Sequence, residues 1–264
     1  MKSLPLPWVV VAEDESDAAI VTGLADRYAQ EPEHGLEEWL RDNLDTYRAW
    51  QGEGPGTTCL KWSKVKERAR SLRISIHGYG NRTLGFEEAE IRKVFTLVTR
   101  AGRERPAGLL LHRDTDASAD RRAGYQASVA AYQQAVSSDA ERVHICLALP
   151  HPEIEAWLLA GFEPETDAGR EALAEERRTL GFDPREQASR LNPKRTSTPE
   201  GEDVKKSTKR ILEKLVSKDG ASFERCWRDA PLERLRARGA ATGLLDFFVA
   251  LSTEYFTSLR SAGT

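Results

Sequence analysis

The sequence predicts an α/β protein: a mostly parallel four-stranded sheet flanked by helices, followed by a helical C-terminal extension. Two observations carry the sheet. Continuous apolar runs of strand length recur through the first 160 or so residues, and helix-length amphipathic stretches lie between them. A third sets the extension, because strand-like runs cease after Gly161. The expected division is an α/β core over residues 1–162 and a helical part over 163–264.

The first strand is Trp8-Val9-Val10-Val11-Ala12, bounded by Pro7 and by acids. A 3.6-residue period follows in Ala18, Ile20, Leu24, Ala25 and Tyr28, with Ser16 or Asp17 expected as the cap. Leu36 to Trp50 is amphipathic and reads as helix. Arg73-Ile74-Ser75-Ile76-His77 alternates and ends in the turn residues Gly78 to Asn81, giving the second strand. Phe86 to Val98 is the next helix, and Gly108 to Arg113 the third strand. The Ala-rich helix Ala119 to Val136 precedes the fourth strand, Val143 to Leu149, and Glu155 to Leu159 continues as helix from Pro152. Beyond it, Glu163 to Glu165 and Asn192 to Glu202 read as loops. Arg170–Thr179, Val204–Val216 and Ala240–Tyr255 read as helices.

Charge is nearly balanced, 39 Lys plus Arg against 42 Asp plus Glu, which excludes a histone-like polycation. No apolar run reaches the roughly 18–20 residues of a membrane span, and the stretch ending at Ala12 is too short for a signal-peptide core. Cys59, Cys146 and Cys226 are widely spaced and form no CxxC pair, which points to a reducing, cytoplasmic setting and away from a zinc knuckle. Neither GxxxxGK[ST] nor GxGxxG occurs, so the chain carries no recognisable ATPase of its own.

Chemistry is expected beyond the carboxyl ends of parallel strands. The first strand delivers Glu13, then Asp14, Glu15 and Asp17; the third delivers Asp114 and Asp116; the fourth delivers Glu153 and Glu155. Crowded carboxylates repel one another unless a cation sits among them, and an all-oxygen donor set suits Mg²⁺ or Mn²⁺. The i, i+2 spacing of Asp114 and Asp116 places both on one side of an extended segment. The i, i+4 spacing of Glu13 and Asp17 fits a strand end and the following helical turn.

These elements resemble the TOPRIM fold of topoisomerases, primases, recombination-repair proteins and the overcoming-lysogenization-defect nucleases. The matching residues are Val9-Val10-Val11-Ala12-Glu13 with Ser16-Asp17, then Asp114-Thr115-Asp116. Ile154-Glu155-Ala156-Trp157-Leu158-Leu159 is similar to the IEAWLL signature of small TOPRIM-like proteins of bacterial defence loci. The likeness covers roughly residues 8–160. It implies that Glu13 is the general acid/base or metal-ligand glutamate and that Asp114 and Asp116 are a catalytic metal-binding pair. Asp17 and Glu155 would complete a second metal position, for two Mg²⁺ or Mn²⁺ ions in all. Asp14 stands where the family's glycine usually follows the first glutamate, and Ser118 where a third acid of DxDxD would be; the first departure weakens the comparison with primases and topoisomerases and leaves the nuclease branch open.

Between Lys194 and Lys218 lie Arg195, Lys205, Lys206, Lys209, Arg210 and Lys214. Lys205, Lys206 and Lys209 are candidates for nucleic-acid binding, and Lys206 for a catalytic lysine as in the nuclease branch. The competing reading is a solvated helix face. His77, at a strand end beside Gly78 and Gly80, is a further candidate for phosphate contact, against the plainer reading of a turn histidine. His112 and His144 read as core residues, and His151 as a helix cap. The tryptophans read as packing rather than base stacking. Lys61 to Arg73 is a second basic stretch, interrupted only by Glu67.

The expected function is therefore a Mg²⁺-dependent TOPRIM-type endonuclease hydrolysing DNA or RNA, serving anti-phage defence under a separate ATPase or sensor subunit. Homo-oligomers are compatible with it, and no membrane partner is expected. The alternatives are a catalytically silent TOPRIM subunit binding a partner or nucleic acid, and phosphoester chemistry on a small nucleotide.

Overall fold

The computed structural model describes residues 5–52, 56–74, 85–101, 105–135, 142–193 and 202–262. The chain forms two compact units. One comprises Met1–Arg113, Ala119–Leu147 and Val249–Thr264; the other comprises Asp114–Ser118 and Ala148–Phe248.

The first unit is α/β. Its strands are β1 (Leu6–Ala12), β2 (Arg48–Gln51), β3 (Leu60–Lys61), β4 (Gly108–His112) and β5 (His144–Ala148). They form a sheet in the order β2-β1-β4-β5, and β3 also pairs with β1. All three pairings of β1 are parallel: Trp8 lies opposite Trp50 and Gly108, and Ala12 opposite Lys61. One flank of β1 is thus shared by two short strands, β2 along Leu6–Val9 and β3 along Val11–Ala12. The helices are α1 (Glu15–Gln30), α2 (Glu38–Arg41), α3 (Leu44–Tyr47), α4 (Trp62–Ser71), α5 (Phe86–Ala101) and α6 (Ala119–Ala135), with α13 (Phe256–Ala262) closing the chain.

Burial explains the central strands. Trp8, Val10, Val11, Leu109, Leu110 and Leu111 are all within 1% of complete burial, as strands covered on both faces must be. Gly108 is required opposite Trp8, because a Cβ there would lie 2.4 Å from the indole. Trp8 meets Trp50 and Tyr255 edge to face, at 5.9 and 5.1 Å between ring centres. Its Nε1 donates to Ser258 at 3.2 Å, so the end of the chain is packed into this core.

The expected helix from Leu36 to Trp50 is broken: α2 and α3 are single turns, and Arg48–Gln51 is a strand. The reason is Arg48. It is only 4% exposed, donating to Asp26 at 2.7 Å and to Tyr255 Oη at 3.1 Å, a pairing that hydropathy does not foresee. Burial pushes the Asp26 carboxyl up despite the guanidinium beside it. The second expected strand, Arg73 to His77, lies outside the described residues except for Arg73 and Ile74. Arg73 itself ends α4 in a left-handed conformation (φ 53°), with Ile74 N–H bonded back to Ala69.

The second unit is helical: α7 (Glu155–Gly161), α8 (Asp167–Leu180), α9 (Glu202–Lys205), α10 (Thr208–Asp219), α11 (Leu232–Gly239) and α12 (Leu244–Ala250, whose last two residues fall in the first unit). Every residue of α7 after Glu155 is buried. Trp157 stacks on Phe247 at 5.5 Å and donates to the Thr242 carbonyl at 2.9 Å. The expected helix Val204–Val216 is interrupted at Lys206–Ser207, where Ser207 caps α10 and Asn192 N–H bonds the Lys206 carbonyl. The expected helix Ala240–Tyr255 is interrupted at Gly243, which adopts φ 85°.

Candidate functional site

β1 and β4 are neighbouring parallel strands in matched register, Val11 opposite Leu111, so both carboxyl ends reach the same edge of the sheet. Glu13 and Arg113 leave that edge side by side. Arg113 Nη1 lies 3.2 Å from Glu13 Oε1, with the glutamate 41% and the arginine 21% exposed. The Arg113 guanidinium also sits over the Trp62 ring at 5.6 Å. Trp62 Nε1 donates to the His112 carbonyl at 2.5 Å, pinning the start of α4 to the end of β4.

Asp14 is the N-cap of α1, accepting from Ser16 N–H at 2.8 Å, Asp17 N–H at 3.0 Å and Ser16 Oγ at 2.6 Å. The expected cap, Ser16 or Asp17, is thus corrected to Asp14. Burial pushes the Asp14 carboxyl up, but the bonds from Ser16 and Asp17 outweigh it and leave the carboxyl below its ordinary range. Asp17, one turn along α1, is 13% exposed and lies 3.8 Å from Nδ1 of the fully buried His112.

Glu13 and Asp17 belong to the first unit; Asp114, Asp116 and Glu155 belong to the second. Within the second unit the segment Asp114–Ser118 is laced to the segment before α7. Thr115 is buried, and its N–H and Oγ both donate to the Pro150 carbonyl, at 3.1 and 2.9 Å. Thr115 Oγ1 also lies 3.1 Å from His151 Nδ1. Asp114 Oδ1 accepts from Ile154 N–H at 3.0 Å, one residue before Glu155. Asp114 and the start of α7 are therefore brought together.

Asp116 departs from the expected geometry. Asp116 and Ala117 have φ of 48° and 60°, and Ser118 N–H closes a turn onto the Thr115 carbonyl at 2.8 Å. The DxD is not an extended segment: Asp114 is half-buried and hydrogen-bonded, while Asp116 is exposed at the head of a tight turn. Left-handed backbone costs a non-glycine residue about 1–2 kcal/mol and persists where surrounding contacts over-determine it, often at functional loops. The second unit's Asp114, Asp116 and Glu155 do not by themselves bring three carboxylate oxygens within 4.8 Å. Among the described residues, side chains that do meet that distance are Glu31, Glu33 and His34, which sequence reasoning passed over because they follow a helix rather than a strand.

Of the basic candidates, Lys205 is exposed and Lys206 and Lys209 are half-buried. Two of their neighbours are committed elsewhere. Arg210 makes a bidentate pair with Glu176 at 3.0 and 2.8 Å, and Lys214 bonds Glu175 and Glu176. His77 lies outside the described residues. His144 is bonded to Glu254 at 2.9 Å, alongside Arg142.

Comparison with protein-family models, characterised proteins and solved structures found no match to this chain.

Proposed function

We propose that the chain is a divalent-metal-dependent phosphodiesterase of TOPRIM-like fold acting on DNA or RNA. The observation that supports this most strongly is the strained, doubly anchored loop Asp114–Ser118 following β4, the strand beside the one that delivers Glu13. Such strain in an acidic loop is retained where geometry matters. Each unit offers oxygen donors alone, Glu13 and Asp17 in the first and Asp114, Asp116 and Glu155 in the second, the chemistry that suits Mg²⁺ or Mn²⁺. Cations held by such donors would activate a water and stabilise the leaving oxygen of the phosphodiester. The chain's own contributions are narrower. Asp114, fixed by Ile154 N–H, presents one oxygen in a set direction, and Thr115 holds the turn that presents Asp116. The setting in phage defence, under a separate ATPase, rests on the sequence resemblance alone.

A second reading is a catalytically silent subunit, and the Glu13–Arg113 ion pair favours it. An arginine in contact with the first acid neutralises part of the charge that would draw in a cation.

Incubating plasmid, single-stranded DNA, tRNA and mononucleotides with Mg²⁺ or Mn²⁺ separates these readings. Cleavage of a polymer, lost in Asp116→Asn, is expected; asparagine tolerates the left-handed backbone, so the turn survives. Activity confined to mononucleotides, or unchanged in the variant, would defeat the proposal.

A further inference from the structure

We propose that α4, rather than α9 and α10, is the surface that grips the phosphodiester backbone. This deepens the phosphodiesterase reading and rests on it for the substrate class. Helix α4 begins at the acidic edge. Lys61, the residue before it, pairs with Ala12 in the sheet, one residue short of Glu13, and Trp62 is bonded to the end of β4. The helix buries Trp62, Val65 and Ala69 against the fold and turns its charged side chains to solvent. Lys64 is paired with Glu67 at 3.0 Å. Lys66, Arg70 and Arg73 are exposed at i, i+4, i+7 spacing, and among the described residues no acid pairs with them.

Cations near a helix C-terminus complement its dipole, which accounts for Arg70 but not for Lys66 or for Arg73 beyond the last turn. From Lys66 to Arg73 the stripe runs about 10 Å, the rise of about three nucleotide steps at about 3.4 Å each along one strand. A membrane surface is the poorer partner, because the apolar side chains Trp62, Val65 and Ala69 of the helix are buried in the core and Leu72 alone is exposed beside the stripe, too little to insert. By contrast, Arg210 and Lys214 of α10 are held in ion pairs with Glu175 and Glu176.

Binding of a labelled DNA duplex and of the matching single strand, read by anisotropy across a salt series, tests this. Measurements run once with EDTA and once with Ca²⁺, so that no cleavage is needed for a signal. The double variant Lys66→Ala/Arg70→Ala should lower the slope of log affinity against log salt by about 2 and weaken binding about tenfold or more. Lys66→Arg/Arg70→Lys should retain both, and circular dichroism should show each variant folded. Lys205→Ala/Lys209→Ala should change the slope less. An unchanged slope in the α4 variant would overturn the proposal. So would a larger loss in the Lys205/Lys209 variant, or a wild-type protein that ignores nucleic acid in both conditions while binding phosphatidylserine vesicles. If binding follows α4 charge and no polymer is ever cleaved, this surface stands and the hydrolase reading falls.

Discussion

Arg113 Nη1 and Glu13 Oε1 lie 3.2 Å apart at the shared carboxyl edge of β1 and β4. An exposed pair of this kind contributes about 0–1 kcal/mol to folding, so its consequence is electrostatic rather than structural. If Glu13 holds a cation as proposed, the fixed positive charge of Arg113 beside it opposes that cation by about 1 kcal/mol or more. Arg113→Gln should therefore tighten Mn²⁺ binding about fivefold by calorimetry while leaving the unfolding midpoint nearly unchanged. Weaker binding would mean that Arg113 positions Glu13 instead of competing for it.

The turn at Asp116 and Ala117 makes a second prediction. Replacing a left-handed alanine by glycine removes about 1–2 kcal/mol of strain and returns about 0.5–1 kcal/mol as unfolded-state entropy. Ala117→Gly should stabilise the protein by about 0.5–1 kcal/mol in urea denaturation. Destabilisation would show that the φ of 60° carries no strain.

The strands read most clearly from the sequence were those buried on both faces. Trp8–Ala12, Gly108–His112 and His144–Ala148 are continuous apolar runs, and no other periodicity competes with them. Arg48–Gln51 was hidden because Leu36, Leu40 and Leu44 set a helical rhythm that runs into it. Its burial also depends on Arg48 finding Asp26 and Tyr255, partners 22 and 207 residues away. The breaks at Ser207 and Gly243 are local signals, a capping serine and a glycine, which a periodicity read over longer windows passes across. Of the candidate site, the acids were legible at once, but their partners were not. Arg113 faces Glu13 only because β4 is the neighbour of β1, and Asp14 serves as a cap. Strand order is a tertiary fact, and no residue spacing encodes it.

In the second unit, burial pushes the Asp183 carboxyl up, but bonds from Arg185 and Arg177 outweigh it and bring it to about 2 from an ordinary 3.8. Its side chain is only 9% exposed. A carboxylate whose folded value is depressed contributes stability that is present above its unfolded value and lost as pH falls through the folded one. Asp183 should thus supply about 2 kcal/mol near neutral pH, fading between about pH 4 and pH 2. Asp183→Asn should lose at least that much at neutral pH, and the gap from wild type should narrow over the same window. A gap independent of pH would assign the loss to packing.

Glu176 is 2% exposed and held by Arg210 and Lys214. Removing one partner of a buried pair leaves an uncompensated charge, and the remaining lysine softens the cost. Arg210→Met should destabilise by about 2–3 kcal/mol without altering the salt dependence of the nucleic-acid binding proposed for α4. A change in that salt dependence at unchanged stability would make α10 a binding surface after all.

The most direct test of the proposed metal site is calorimetric titration of Mn²⁺ into the wild-type protein and into Asp114→Asn and Asp116→Asn, two acids of the second unit. The account predicts saturable binding in the wild type, weakened about tenfold or more in each variant, since each removes a carboxylate charge from the donor set. Absence of binding in the wild type, or equal binding in all three proteins, would contradict it.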